Sequence, residues 1–251
     1  NVSDIFGKSF DTIVCAAAPG SMFEANKFPE RDLNNIQSLM DALSQVYSRN
    51  FILVSSVAVL RNFSSSVGEE TAEYQTDLAY GRNRRILEQF CESTFENSLI
   101  VRLPSLFGLG LRKNFIFDLI NPVPSILTED RFNLVSSTLG SFYSKSLCNL
   151  YKFDARNNFF KIDREALLVD PQRSFLEEAL ISQGLSAMQF HNPNSSYQYY
   201  DLSRLWADIL IAKMANLSYL HLATEPITAS KIHKHLTGRN MLASPAALHH
   251  E

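Results

Sequence analysis

Glycine is scarce in this chain, with nine in 251 residues, and none of them forms a Gly-x-x-Gly-x-x-Gly turn. Such a turn lets a backbone approach a pyrophosphate at a helix N-terminus, so these residues do not build that device. Gly108-Leu-Gly110 is too short for it and follows the wrong strand. Tryptophan occurs once. No run of about 18 apolar residues exists, which excludes a membrane-spanning helix among them. The three cysteines, Cys15, Cys91 and Cys148, are odd in number, far apart and outside any CxxC or zinc-type grouping. Cysteine used in that way points to a reducing cytoplasm. Neither sign of charge dominates: the formal net charge is -3, which gives no electrostatic case for nucleic acid or an anionic membrane. Six histidines make no metal-ligand set. His233 and His235 are two apart and would face apart on a helix, His191 and His221 stand alone, and His249 and His250 sit in a tail.

What is present suits a globular interior. The hydrophobic share is 45% and the charged share 20%, ordinary values for one large domain or two small ones. Asp11-Thr-Ile-Val-Cys-Ala-Ala-Ala18 is a short apolar run closed by Pro19-Gly20, a pattern that predicts a strand buried on both faces. Residues 32–47 carry apolar side chains at helical spacing. Residues 51–56 predict a second buried strand, 62–73 a polar loop with three serines at 64–66, and 77–95 a second helix. Residues 99–103 predict a third strand, stopped by Pro104. This alternation predicts an α/β chain with a parallel sheet. Later, 121–124 reads as a rigid kinked segment, 172–183 as a helix capped by Gly184, 202–214 as a helix, 219–223 as a strand and 228–236 as a helix before Gly238.

The chemistry centres on Tyr80-Gly-Arg-Asn-Arg84. A phenol and a guanidinium four residues apart share one helix face. Ser55-Ser56 closes the preceding strand and supplies a hydroxyl. A phenol ionises near about pH 10, so acid/base work near neutrality needs neighbouring cations. The bland reading makes Tyr80 an amphipathic core residue and Arg84 a surface charge paired with Glu88.

The order of these segments resembles the extended short-chain dehydrogenase/reductase family, the NAD-dependent epimerases and dehydratases. The resemblance rests on a strand ending in Ala-Ala, a helix with early Asn34 and Asn35, and a strand ending in Ser-Ser. It also rests on Tyr-Gly-x-x-Arg-x-x-x-Glu and on Arg-Leu-Pro-Ser-Leu-Phe-Gly after the third strand. It covers residues 10–120 well and 190–236 more loosely. It implies a Rossmann-like parallel sheet flanked by helices, with a smaller C-terminal substrate-binding region. The expected division is 1–110 for a partial dinucleotide-binding domain and 111–251 mostly for the substrate region, with some segments returning to the sheet. It implies NAD or NADP as cofactor and Tyr80 as acid/base. Ser56 would steer the substrate oxygen, and Arg84 would stand where the family has lysine against the nicotinamide ribose. Ala16, Ala17 and Ala18 would line the cofactor channel, with Pro104 and Ser105 near the nicotinamide. Asn35 would hold a water in a bent helix. Asn114 would meet a substrate diphosphate, helped by Arg112 and Lys113, with an ordinary helix N-terminus as the alternative. Met22 and Phe23 would reach the sugar pocket from a loop. Tyr197-Gln-Tyr-Tyr200 would lie near substrate, and Arg102 reads as structural.

The family's opening strand, glycine turn and ribose selector have no match in this sequence, and they are expected upstream of Asn1. The leading expectation is an NAD(P)-dependent epimerase or reductase acting on a nucleotide-sugar or similar hydroxyl substrate. Val57 after Ser56 disfavours dehydration, which usually needs an acid there. The alternative is a non-catalytic member that binds a dinucleotide or serves as a scaffold, because arginine is bulkier than lysine and effectively always protonated. A homodimer built on the tyrosine helix would use Ile86, Leu87 and Phe90, which suit a core equally well.

Overall fold

The computed structural model describes residues 5–62, 68–71 and 73–249; the serines at 64–66 and His250 lie outside them. In chain order the elements are β1 (Ser9–Cys15), α1 (Met22–Lys27), α2 (Pro29–Leu43), β2 (Tyr47–Ser56), α3 (Ala79–Thr94), β3 (Ser98–Leu103) and β4 (Ser105–Phe107). They continue with α4 (Phe115–Ile120), β5 (Ile126–Leu127), α5 (Glu129–Leu139), α6 (Ser141–Leu150), β6 (Tyr151–Asp154), β7 (Phe159–Ile162), α7 (Arg164–Val169) and α8 (Arg173–Ser182). The last are β8 (Ser196–Tyr197), β9 (Tyr199–Asp201), α9 (Leu205–Met214), β10 (Tyr219–His221), β11 (Ile227–Thr228) and α10 (Ala229–Thr237). The chain divides into two compact units, one holding residues 1–108 and 197–226, the other 109–196 and 227–249.

The first unit is built on a parallel sheet in the order β1-β2-β3-β10. Successive side chains of a strand point to opposite faces, and β2 and β3 use both. Phe51, Leu53 and Ile100 pack with Ile36 and Leu39 of α2 and Leu87 and Cys91 of α3. Ile52, Leu99 and Val101 pack on the other side with Ile209 and Ala212 of α9. Leu87 is therefore core. Burial pushes the thiols of Cys15 and Cys91 above the ordinary cysteine range, which keeps both as inert packing groups.

Three expectations need correction here. The first strand is not buried on both faces, since Val14 is 46% exposed. It is an edge strand, and α9 packs over Leu99 and Val101 of β3 rather than over β1. The helix expected over 32–47 spans Pro29–Leu43. Proline is tolerated in its first turn, and Tyr47 is already spent on the sheet, where it pairs with Ser9. Met22 and Phe23 lie on a helix rather than a loop, because the Ser21 hydroxyl accepts from the Glu24 amide at 3.3 Å and starts α1.

The second unit has its own core, with Val123, Leu127, Leu147, Leu150, Leu176 and Leu180 buried. A three-stranded antiparallel sheet, β5-β7-β6, lies against it. The Tyr151 hydroxyl donates to the Pro124 carbonyl at 2.6 Å, and Arg164 donates to the Val123 carbonyl at 2.8 Å. These bonds hold the kinked segment at 121–124. The helix before Gly184 is present, and Gly184 takes the positive φ of +67° that favours glycine after a helix. The helix expected over 228–236 appears as α10.

Candidate functional site

The candidate site lies in the first unit, at the carboxyl ends of β1, β2 and β3. Open parallel α/β sheets bind ligands at such ends. Ala16 and Ala17 follow β1 as exposed small residues, and Ala18 is half-buried against the core. Ser56 ends β2. Its hydroxyl oxygen accepts from the Ala58 amide at 3.2 Å, capping a single 3-10 turn at Val57–Val59. That cap uses a lone pair and leaves the O–H of Ser56 able to donate.

Tyr80 stands in the first turn of α3 and is half-buried. The opening amides of a helix have no partner within it. Here side chains supply two of them: Gln75 accepts from Leu78 at 3.2 Å, as it does from Asp77 just before the helix at 2.8 Å, and Asn26 accepts from Tyr80 at 2.9 Å. Gly81 fixes how closely α3 approaches the turn after β2. A Cβ added there would stand 2.0 Å from the Ala58 carbonyl oxygen, so only glycine fits without a backbone shift. Tyr80 is therefore held next to the turn that Ser56 caps.

Arg84 lies one turn further on and is 3% exposed. Its guanidinium forks onto Asp32 of α2, at 2.8 and 3.2 Å, and also donates to the Pro19 carbonyl. The Tyr80 ring covers it, with the guanidinium carbon 4.4 Å from the ring centre. The Asn83 amide donates to the same carboxylate at 2.9 Å. The surface pairing of Arg84 with Glu88 does not form. Glu88 is fully buried and accepts from the Ser55 hydroxyl at 2.6 Å, from Arg102 at 2.7 and 3.0 Å and from Arg85 at 2.9 Å. Arg102 is fully buried and structural, as its sequence context implies. It also donates to His221 Nε2 at 2.9 Å. A guanidinium has no acceptor, so that ring nitrogen is unprotonated.

The remaining expected residues are placed as follows. Pro104 is buried and Ser105 half-buried at the start of β4, which pairs with β9 in parallel. Asn35 is exposed on α2 rather than enclosed, because the inward positions of that helix go to Asp32, Ile36 and Leu39. Asn114, in the second unit, caps α4: its side-chain oxygen accepts from the Phe117 amide at 3.0 Å. Sequence reasoning missed Asp32 and Asn26. Asp32 carried one weak signal, an acidic residue in the first turn of a helix, and Asn26 carried none. Among the described residues no three His, Cys, Asp or Glu side chains form a group able to hold a metal. No helix among them is long and apolar enough to cross a membrane.

No protein-family profile matches the chain, and no curated protein matches it in sequence. Solved structures do match in three dimensions. MoeE5 in complex with UDP-glucuronic acid and NAD is similar at TM-score 0.61 and 13% identity, over 99% of this chain and 71% of that one. UDP-galactose 4-epimerase is similar at 0.58 and 14%, over 100% and 70%. UDP-N-acetylglucosamine 4-epimerase from Methanobrevibacter ruminantium M1, in complex with UDP-N-acetylmuramic acid, is similar at 0.56 and 14%, over 100% and 69%. At these identities the likeness establishes the fold: an α/β chain with a Rossmann-like parallel sheet flanked by helices.

Proposed function

We propose that this chain carries the reacting side of an NAD(P)-dependent epimerase or reductase acting on a nucleotide-sugar or similar hydroxyl substrate. The observation that carries the reading is the contact of Gly81 with the Ala58 carbonyl, which holds Tyr80 beside the turn capped by Ser56. Tyr80 is the acid/base and takes the proton of the reacting hydroxyl. Ser56 directs its O–H at the substrate oxygen. Ala16 and Ala17 present little bulk to the dinucleotide beyond β1, with Ala18 behind them, and Pro104 and Ser105 border the nicotinamide. A bound nicotinamide supplies the hydride acceptor and donor. Arg84 contributes by backing the Tyr80 ring. Asn114 remains a substrate-side residue on sequence grounds alone. The fold neighbours named above, one of them in complex with a UDP-sugar and NAD, support the substrate and cofactor class.

The test is Tyr80→Phe in the full-length protein, assayed with NAD or NADP and a panel of UDP-hexoses and UDP-uronic acids. The expected loss of turnover is about 100-fold or more. Unchanged turnover sinks the assignment.

One observation favours a second reading, a non-catalytic member that binds a dinucleotide or serves as a scaffold. The Arg84 guanidinium is buried and already bonded to Asp32 and Pro19. Titration with NAD(H) and NADP(H), followed by nicotinamide fluorescence, separates the readings. Binding without turnover of any sugar in the panel selects the second, and failure to bind either dinucleotide removes the first.

A further inference from the structure

A cation that reaches the loop after β1, Arg84, is withheld from any ligand that arrives there. Pro19 lies four residues beyond Cys15, the last residue of β1, and its carbonyl accepts from Arg84. A guanidinium at that place would attract phosphate, which planar N–H forks bind well. Here the fork is turned the other way, onto both oxygens of Asp32, and the side chains of the pair are 4% and 5% exposed. Asp32 is itself held firmly. It stands in the first turn of α2, where the helix dipole favours an anion, and it accepts from Asn83 at 2.9 Å. The pair is neutral as a unit, so an approaching phosphate meets no net charge there, and the two N–H groups aimed at Asp32 are already used.

We propose that Asp32 sets how tightly this chain holds a phosphate-bearing dinucleotide, by neutralising and sequestering Arg84 at the carboxyl end of β1. The proposal rests on the reading of that end as a dinucleotide site. It makes Asp32 an affinity-determining residue that acts through Arg84. A simple staple between α2 and α3 behaves differently: loosening it lowers stability and leaves affinity alone or weakens it. Releasing a sequestered cation lowers stability and raises affinity.

The experiment uses the full-length protein and NADH as the probe, with nicotinamide fluorescence as the readout. Asp32→Asn keeps the shape and one acceptor oxygen for Arg84 but adds one net positive charge to the site. The expected result is an NADH Kd about tenfold tighter than wild type at low salt, with the gain shrinking as ionic strength rises. A Kd that is unchanged or weaker, with a native circular-dichroism spectrum, overturns the proposal. Should that variant fail to fold, the double variant Asp32→Asn, Arg84→Lys carries the same test. Lysine keeps the positive charge on a flexible stem that can carry its ammonium out to solvent once the carboxylate is gone. Tighter binding is again expected, and unchanged binding again overturns the proposal. Equal NADH binding by wild type and variants removes this inference alone. Failure of all of them to bind removes the dinucleotide reading and this inference with it.

Discussion

Arg84 and Glu88 are four residues apart on α3 and have opposite charges, yet each is paired elsewhere. Arg84 reaches across to Asp32 of α2, and Glu88 is gripped by Arg102 of β3. A pairing of i with i+4 on a helix surface contributes only about 0.2–0.5 kcal/mol. A carboxylate or guanidinium taken out of water must be paired and hydrogen-bonded or it destabilises the fold by far more. The partner is therefore chosen by which groups are carried inward together. The two pairs also differ from each other. Arg102 and Glu88 have no exposed side-chain surface, and Glu88 receives four hydrogen bonds spanning β2, β3 and α3. Arg84 lies under the Tyr80 ring, and one of its bonds goes to the Pro19 carbonyl in the loop after β1. The first pair ties the sheet to its helix, and the second ties α2, α3 and the loop after β1 beneath Tyr80.

That contrast can be broken most severely at Arg102. Arg102→Met leaves Glu88 buried without its fork, with an expected loss of about 3–5 kcal/mol in urea unfolding. The double variant Arg102→Met, Glu88→Leu should recover most of it, because two apolar side chains replace the pair; no recovery would mean that the pair contributes net stability. Gly81→Ala comes next. Its Cβ would meet the Ala58 carbonyl, so α3 must shift, with an expected loss of about 3 kcal/mol by thermal unfolding together with reduced turnover. Asp32→Asn should lose less, about 2–3 kcal/mol, because Arg84 loses its counter-charge but keeps one acceptor on the amide and the Pro19 carbonyl. A loss equal to that of Arg102→Met would erase the distinction between the two pairs.

The smallest effect concerns Tyr219, whose hydroxyl donates to Glu92 at 2.6 Å at the edge of the Glu88 network. Tyr219→Phe should remove about 1 kcal/mol at neutral pH. Burial, and then Glu92, raise the pKa of this phenol above its ordinary value. The unfolded chain then ionises first, near about pH 10, while the folded chain keeps its proton. The contribution is full below that pH and is lost as pH rises through the folded value. The Phe variant should show a flatter alkaline limb than wild type in unfolding free energy against pH, and parallel limbs would refute the assignment.

The strands and helices of the first unit were legible because they follow simple periods. Phe51-Ile-Leu-Val is apolar on both faces and became the centre of the sheet. Residues 33–43 keep a helical apolar spacing and became most of α2. The one-sided cover of β1 was not legible. Apolar content says that a strand can be covered, whereas coverage depends on where α9 packs. The hairpin β6–β7 and helices α5–α7 escaped as well, since segments of 4–11 residues give period counting little to work with. At the site, Tyr80, Gly81 and Ser56 were visible as a motif. Asn26 and Asp32 were not, because each contributes one side chain to a helix more than 50 residues away.

By itself the sequence determined an α/β chain with a parallel sheet and a run, Tyr80-Gly-Arg-Asn-Arg84, that puts a phenol and a guanidinium on one helix face. These depend on local periodicity and on spacing within single elements. Only the tertiary structure decided what that arginine does. Arg84 and Glu88 are both buried, and each bonds the opposite charge that another element carries inward: Asp32 of α2 for Arg84, Arg102 of β3 for Glu88.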